Sequence, residues 1–438
     1  MLKKVLTTSA IALALASTSA YAVGNTATIN QNGAANTVTA SQTGNFNTET
    51  IDQDGSNSSI EARQTGDDNT ATIKQGLAFG ADNNDVVSKQ VGDKNEAVIN
   101  QEGNKDNVAK SFQLRGNGNV ALINQQVVHD NGHAGTVISR QLNGDDNKFT
   151  ITQQADHNET NSIQRGNRNT ATIQQGIDVH NADGNLITNR QNGDDNSATI
   201  DQDGFNGTII SRQNAGNSNT ATIKQNVVNS GNGNSISSNQ NNGDLNIATI
   251  NQEGDTNTIE SVQGNGNKNE VEIDQEGQDN FIRQVQSGNQ NFADIEQLDD
   301  SHPIFDNSYR GLQRGNDNTT TVKQFDRKNT TVNVQLGNRN TATIYQNSDV
   351  GLIPAIPAAA GGNDIRSRQD GNDNTAFINQ DGAESEIVLL QDGDLNDAKL
   401  NQAHGTENNF MSVKQLGNSD NAVVNQFGSN GSVTLVQN

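Results

Sequence analysis

The stretch NTATINQNGAANTVTASQTGNFNTETIDQDG, residues 25–55, closes three short alternating runs on Gln31, Gln42 and Gln53, each 11 residues after the last. The same seven-residue unit, Asn first and Gln last, then recurs along the rest of the chain. It ends next at Gln64, Gln75, Gln90 and Gln101, and it continues to Gln437 for 34 units in all. Asparagine opens 28 of them, as at Asn25, Asn36, Asn47 and Asn69, which leaves no room for a separate globular domain. A repeat this regular has to be read before composition is interpreted.

Within a unit, polar and apolar residues alternate with period two, the pattern of a strand with one buried face. Odd units read Asn-x-Ala-x-Ile-x-Gln, as with Ala27 and Ile29 or Ala71 and Ile73. Even units read Asn-x-Ile/Val-x-Ser-x-Gln, as with Val86 and Ser88 or Ile209 and Ser211. The structural repeat is therefore a pair of strands, 17 pairs in total. Glycine, Asp and Asn separate the units and accept positive φ in tight turns. All three prolines, Pro303, Pro354 and Pro357, fall outside the units, where they remove no ladder hydrogen bond.

Insertions follow odd units only, and they predict loops at 76–83, 126–134, 176–184, 226–233, 298–306 and 347–362. An array that admits insertions along one edge reads as a solenoid. The expected fold is all-β, a two-strand-per-coil β-solenoid of about 17 coils stacked as in cross-β. Equivalent residues then lie over one another about 4.8 Å apart. Gln stacks on Gln and Asn on Asn, and a primary amide carries both a donor and an acceptor for its own column. The expected amide ladder begins at Asn25, Gln31, Asn36, Gln42, Asn47, Gln53, Gln64, Asn69, Gln75, Gln90 and Gln101. The expected apolar ladder begins at Ala27, Ile29, Val38, Ile51, Ile60, Ala71 and Ile73. The chain reverses between units, so Ile of an odd unit is expected to face Ile or Val of the next, and Ala to face Ser.

Composition agrees with a thin core. Hydrophobic residues are 30% and aromatics 3%, well under the roughly 45–50% apolar content of ordinary domains. The N-terminus reads as a signal peptide over residues 1–22. Lys3 and Lys4 precede an apolar run from Val5 to Ala16, and Ala20-Tyr21-Ala22 supplies a cleavage site. The repeat region is then 23–438. No stretch is long enough for a membrane span, and there are no cysteines. Loss of the two lysines would take the net charge from -23 to -25, a balance that argues against nucleic acid as a partner.

Neither end carries a recognisable cap. Strand edges left open template further chains, so polymerisation is expected through Asn25, Ala27, Ile29 and Gln31 at one end and Val433, Leu435 and Gln437 at the other.

Asn36 to Gln53 reads Asn-x5-Gln-x4-Asn-x5-Gln, and Ser58 to Gln75 gives the same spacing with a leading Ser. This resembles the curlin repeat of curli functional-amyloid subunits, over essentially all of residues 25–437. The resemblance implies export through an outer-membrane pore of a Gram-negative bacterium. It also implies nucleation by a partner subunit and self-assembly into adhesive extracellular biofilm fibres. The chain is unusually long for that family, and Val23-Gly24 leads straight into the repeat.

Three other readings are weaker. Paired outward threonines (Thr26 and Thr28, Thr48 and Thr50, Thr70 and Thr72) could order ice, but Glu96/Val98 and Val120/Leu122 interrupt them. Acidic turns such as Asp67-Asp68 and Asp145-Asp146 could hold calcium, yet turn propensity explains them. His129 and His133 lack a third ligand for zinc. His157, His180, His302 and His404 are scattered. No cofactor and no catalytic constellation is expected.

Overall fold

A computed structural model describes residues 10–13, 23–76, 83–102, 106–126, 135–154, 157–176, 183–226, 231–298, 306–325, 327–347 and 362–438. Most of the insertion segments, and most of residues 1–22, lie outside the described residues. The chain forms two compact units, Met1–Ser218 and Asn219–Asn438.

In the first unit, the odd-unit strands form one parallel sheet from Thr26–Gln31 and Thr48–Gln53 through Thr170–Gln175 and Ser197–Gln202. The even-unit strands form a second, from Thr37–Thr43 and Ser59–Thr65 to Thr208–Asn214. Each strand pairs in register with the next of its own sheet, Ile51 with Ile73 and Gln53 with Gln75, then Ile73 with Ile99 and Gln75 with Gln101. The result is a β-solenoid of eight two-strand coils among the described residues. The second unit repeats the arrangement in nine coils, from Thr220–Gln225 to Ser432–Gln437. Its register shifts once, between Gln380 and Gly382.

Burial follows the alternation. Val38, Ile51, Ile60, Ala71 and Ile73 are fully buried. Isoleucines 51, 73, 99, 123, 151, 173 and 200 form an unbroken buried column in the first unit. Each such side chain contributes roughly 1.5–3 kcal/mol. Ala27 is exposed and Ile29 half-exposed, because no odd-unit strand lies beyond theirs among the described residues.

Numbering each unit 1–7 from its Asn, the two sheets interdigitate rather than pair residue on residue. Thr320, at position 3, donates to Gln335 Oε1 at 2.9 Å and accepts from Asn333 Nδ2 at 2.9 Å. Position 3 thus meets both positions 5 and 7 of the following unit. The expected facing of Ala with Ser is only half of this contact.

The arcs that follow even units are built alike. A glycine is followed by Asp or Asn, then a residue at positive φ, then the next Asn. Phe46, Asp68, Lys94 and Arg168 occupy that left-handed position with φ of 52, 58, 57 and 54°. Residues other than Gly, Asp and Asn therefore stand there too, because the stacked neighbours fix the arc. The glycine itself cannot vary. A Cβ on Gly66 would lie 2.1 Å from Gly92 O in the next coil.

In the full chain, Ala10–Leu13, inside the stretch read as a signal peptide, pairs in parallel with Thr37–Ala40 and covers that edge of the even-unit sheet; the expectation of open ends concerns residues 23–438. The edge of Thr26–Gln31 has no such cover among the described residues. No helix among them is long and apolar enough to cross a membrane.

Candidate functional site

The amide columns are continuous in each unit. In the first, Gln31 Nε2 donates to Gln53 Oε1 at 3.0 Å, Gln53 to Gln75 at 2.8 Å and Gln75 to Gln101 at 2.9 Å. The even-unit column runs Gln42 to Gln64 at 2.9 Å, Gln64 to Gln90 at 2.9 Å and Gln90 to Gln113 at 3.0 Å. The second unit continues alike, for example from Gln402 to Gln426 at 3.0 Å and from Gln415 to Gln437 at 3.1 Å. In every one of these bonds the donor lies on the coil nearer the N-terminus.

The odd-unit asparagines also bond side chain to side chain, Asn69 Nδ2 to Asn47 Oδ1 at 3.0 Å and Asn95 Nδ2 to Asn69 Oδ1 at 3.1 Å, and every asparagine column adds bonds to backbone. Asn47 Oδ1 accepts the backbone N–H of Asn69 at 3.0 Å, and Asn47 Nδ2 donates to Gly66 O at 2.7 Å. Asn25 and Asn36 make the corresponding bonds, to the backbone N–H of Asn47 and Ser58 and to Gly44 O and Gly55 O. The Asn column thus ties side chain to backbone and locks each arc to its neighbour.

A third ladder was missed by sequence reasoning. The Asx after each arc glycine accepts the backbone N–H of its counterpart one coil back, Asp67 from Asn45 at 2.7 Å and Asp145 from Asn117 at 2.7 Å. The signal was visible as a recurrent Gly-Asp or Gly-Asn. It also gives these acidic turn residues a structural duty without calcium.

Where the columns stop, polar atoms are left over. At the first coil, Gln31 Oε1 and Gln42 Oε1 are buried acceptors with no donor. At the last odd-unit strand, Asn421–Gln426, Gln426 Nε2 is a buried donor with no acceptor. A lost partner of this kind costs about 1–3 kcal/mol. Val433, Leu435 and Gln437 are half-exposed on the last strand, and Val423, Phe427 and Val436 beside them are 63, 75 and 49% exposed. The first coil therefore presents acceptors beside Ala27 and Ile29. The last presents a donor beside apolar side chains.

One residue near the first coil departs from the pattern. Glu49 occupies position 3, between Ala27 and Ala71 in its column. It is fully buried, and neither carboxyl oxygen has a hydrogen-bond partner. Burial pushes its pKa from 4.5 up to about 8.

The other candidate residues do not converge. Among the described residues, no group of three or more His, Cys, Asp or Glu is placed to hold a metal. His157 Nδ1 lies 3.0 Å from Asp183 Oδ1 in an exposed pair. His129, His133, His180 and His302, and the side chain of His404, lie outside the described residues. The outward threonines stack in register over three strands, Thr26, Thr48 and Thr70 beside Thr28, Thr50 and Thr72, before Glu96 and Val98 end the array.

A family model described as the curlin associated repeat matches residues 24–55, 193–226 and 243–277. No curated protein matches the chain.

Proposed function

The chain is a curlin-repeat protein, and from that premise we propose that it is a secreted structural subunit. Copies add head to tail by templated β-addition into curli-like extracellular amyloid fibres that serve adhesion and the biofilm matrix. Residues 1–22 direct export and are removed. A nucleating subunit and an outer-membrane pore act as partners, and the bearer is a Gram-negative bacterium.

The observation that carries this reading is the complementarity of the end coils. The unfilled acceptor of Gln31 meets the unfilled donor of Gln426 in the odd-unit column, and the unfilled acceptor of Gln42 meets the amide of Gln437 in the even-unit column. Docking the last coil of one copy on the first coil of another extends the amide column in its existing direction. It also stacks Ala27 and Ile29 on Ala422 and Val424, and Val38 and Ala40 on Val433 and Leu435. Unpaired strand edges supply the backbone half of the contact.

The test is incubation of purified 23–438, followed by thioflavin T fluorescence and electron microscopy, with and without preformed seeds. Unbranched, seedable fibres are expected. Lysine substitution at several inward glutamines should abolish them, whereas outward threonine substitutions should not. A stable monomer that no seed recruits would refute the reading and leave a monomeric surface adhesin.

A further inference from the structure

Two coils in the second unit carry opposite charge on their two outer faces. The odd-unit strands Glu270–Gln275 and Phe292–Leu298 present Glu270, Glu272, Asp274, Asp294 and Glu296 outward, with no cation on either strand. The even-unit strands of the same coils, Phe281–Ser287 and Ser308–Arg314, present Arg283, Arg310 and Arg314 outward, with no carboxylate on either. In a chain of net charge -23 this separation runs against the composition.

The acidic face is poorly compensated by its own unit. Glu272 lies in register with Asp294, and Asp274 with Glu296, so like charges stack at the strand spacing. Burial raises the pKa of Asp274 and Asp294, and Glu296 and Glu272 add to both shifts. Asn251 bonds to Asp274 at 3.1 Å, and Lys323 on the following strand pairs with Glu296 at 2.7 Å and partly offsets Asp294. On the opposite face, Arg283 pairs with Glu260 of the preceding strand at 2.9 Å. Arg310 lies 5.4 Å over the Phe281 ring. Beside the arginines, Val285, Leu312, Val332 and Val334 floor a shallow apolar groove of about 320 Å³.

We propose that the arginine face of this unit docks on the carboxylate face of the same two coils in a second copy, side by side. The occupant follows from geometry as well as charge. Both faces share one strand spacing, so cations and anions stay commensurate, a match that an unrelated polyanion would have to provide by chance. Within a unit, position 3 meets positions 5 and 7 of the facing strand. A second copy displaced perpendicular to the sheets meets the first with that same offset. Position 4, Arg283 and Arg310, then faces positions 4 and 6, which are Glu272, Asp294, Asp274 and Glu296. Position 6, Leu312, faces Phe292 at position 2, and Arg314 faces Glu270. The contact uses different patches on the two copies, so it is heterologous and propagates without closing. In a fibre it would recur at every subunit, and many weak ion pairs would act together.

This lateral contact builds on the fibre reading but is tested apart from it. One chain carries Arg283→Glu, Arg310→Glu and Arg314→Glu. The other carries Glu272→Arg, Asp294→Arg and Glu296→Arg. Each alone should form single filaments where the unaltered protein bundles at low salt, and mixing the two chains should restore bundling. Thioflavin T growth should be unchanged throughout, so loss of bundling with normal growth reports on the lateral contact alone. The chain has no cysteine. Leu312→Cys and Phe292→Cys chains should therefore cross-link when mixed, and far less when each is alone. Bundling that ignores both reversals, a mixture that restores nothing, or cross-linking equal in the unmixed samples would overturn the proposal.

Discussion

Replacing Glu49 by glutamine should remove a pH dependence that is confined to the first coils. The carboxyl is fully buried without a partner, and its pKa stands at about 8 against 4.5 in the open chain. Between those values the folded coil holds a proton that the opened coil has released. Stability is therefore complete below about pH 4.5, falls as pH rises, and levels off above about pH 8. The slope is about 1.4 kcal/mol per pH unit, and the whole span amounts to about 5 kcal/mol. Glutamine keeps the shape and cannot ionise.

Amide hydrogen exchange resolved to Thr26–Gln31, Thr37–Thr43 and Thr48–Gln53 is the assay, with wild type and Glu49→Gln compared at each pH so that chemical exchange rates cancel. The ratio of their opening constants should climb about tenfold per pH unit from pH 5 to 8 and then flatten. Strands from Thr170–Gln175 onward should show no difference. A ratio that stays constant from pH 5 to 9 would refute the buried, unpartnered carboxyl.

Four further outcomes are expected. Gly311→Ser should destabilise the second unit by about 1–3 kcal/mol through overpacking. The added Cβ would lie 1.9 Å from Gln284 Oε1 and 2.1 Å from the Tyr309 hydroxyl, so Tyr309→Ile should recover much of the loss in urea unfolding. Gln90→Leu should cost about 1–3 kcal/mol for each bond left unmade, because Gln64 loses an acceptor and Gln113 a donor. Thr72→Ala, on the outward face, should stay within about 0.5 kcal/mol in the same assay. Retention of residues 1–22 should lengthen the lag of fibre growth, since Ala10–Leu13 occupies the Thr37–Ala40 edge. Equal lags for the two chain lengths would count against that strand as a cover.

Much of the architecture was legible because a period-two pattern inside an 11-residue step leaves few alternatives. Strand identity, parallel register and the stacking of Gln31 over Gln53 all follow from one spacing. Glu49 was not legible as a consequence, only as a deviation. A sequence shows that position 3 holds an acid, but whether its oxygens find donors depends on neighbours that only coordinates supply. The Gly-Asx ladder was missed for a related reason. Asp67 and Asp145 carry the residue types of ordinary turns, and their bonds run to backbone groups one coil away. The offset between sheets also escaped the pattern, because alternation tells which face a side chain takes but not where along the facing strand it lands. The opposed charges of residues 270–314 became readable only once strands were assigned to the two sheets.

The direction of the amide columns limits how copies can meet. A lone glutamine can rotate its amide and exchange donor for acceptor, so a Gln column by itself would not fix polarity. Here rotation is resisted. Gln90 Nε2 also donates to Thr70 O and Asn95 O, at 2.9 and 3.0 Å, so turning it would set an oxygen against two carbonyls. The asparagines are held more firmly, since Asn69 Oδ1 faces the backbone N–H of Asn95 and Asn69 Nδ2 faces Gly92 O. Each Gln column thus carries acceptors toward the N-terminal side and donors toward the C-terminal side, while the odd-unit Asn column runs the opposite way, Asn69 Nδ2 donating back to Asn47 Oδ1 at 3.0 Å, and backbone partners fix both. Two first coils brought together would place Gln31 Oε1 and Gln42 Oε1 against their own kind, with each acceptor still unfilled. Two last coils would do the same for Gln426 Nε2. Only first against last fills both, so any fibre built on these columns has to be polar. A proposed cap for either end can be judged by whether it offers donors to Gln31 and Gln42 or an acceptor to Gln426.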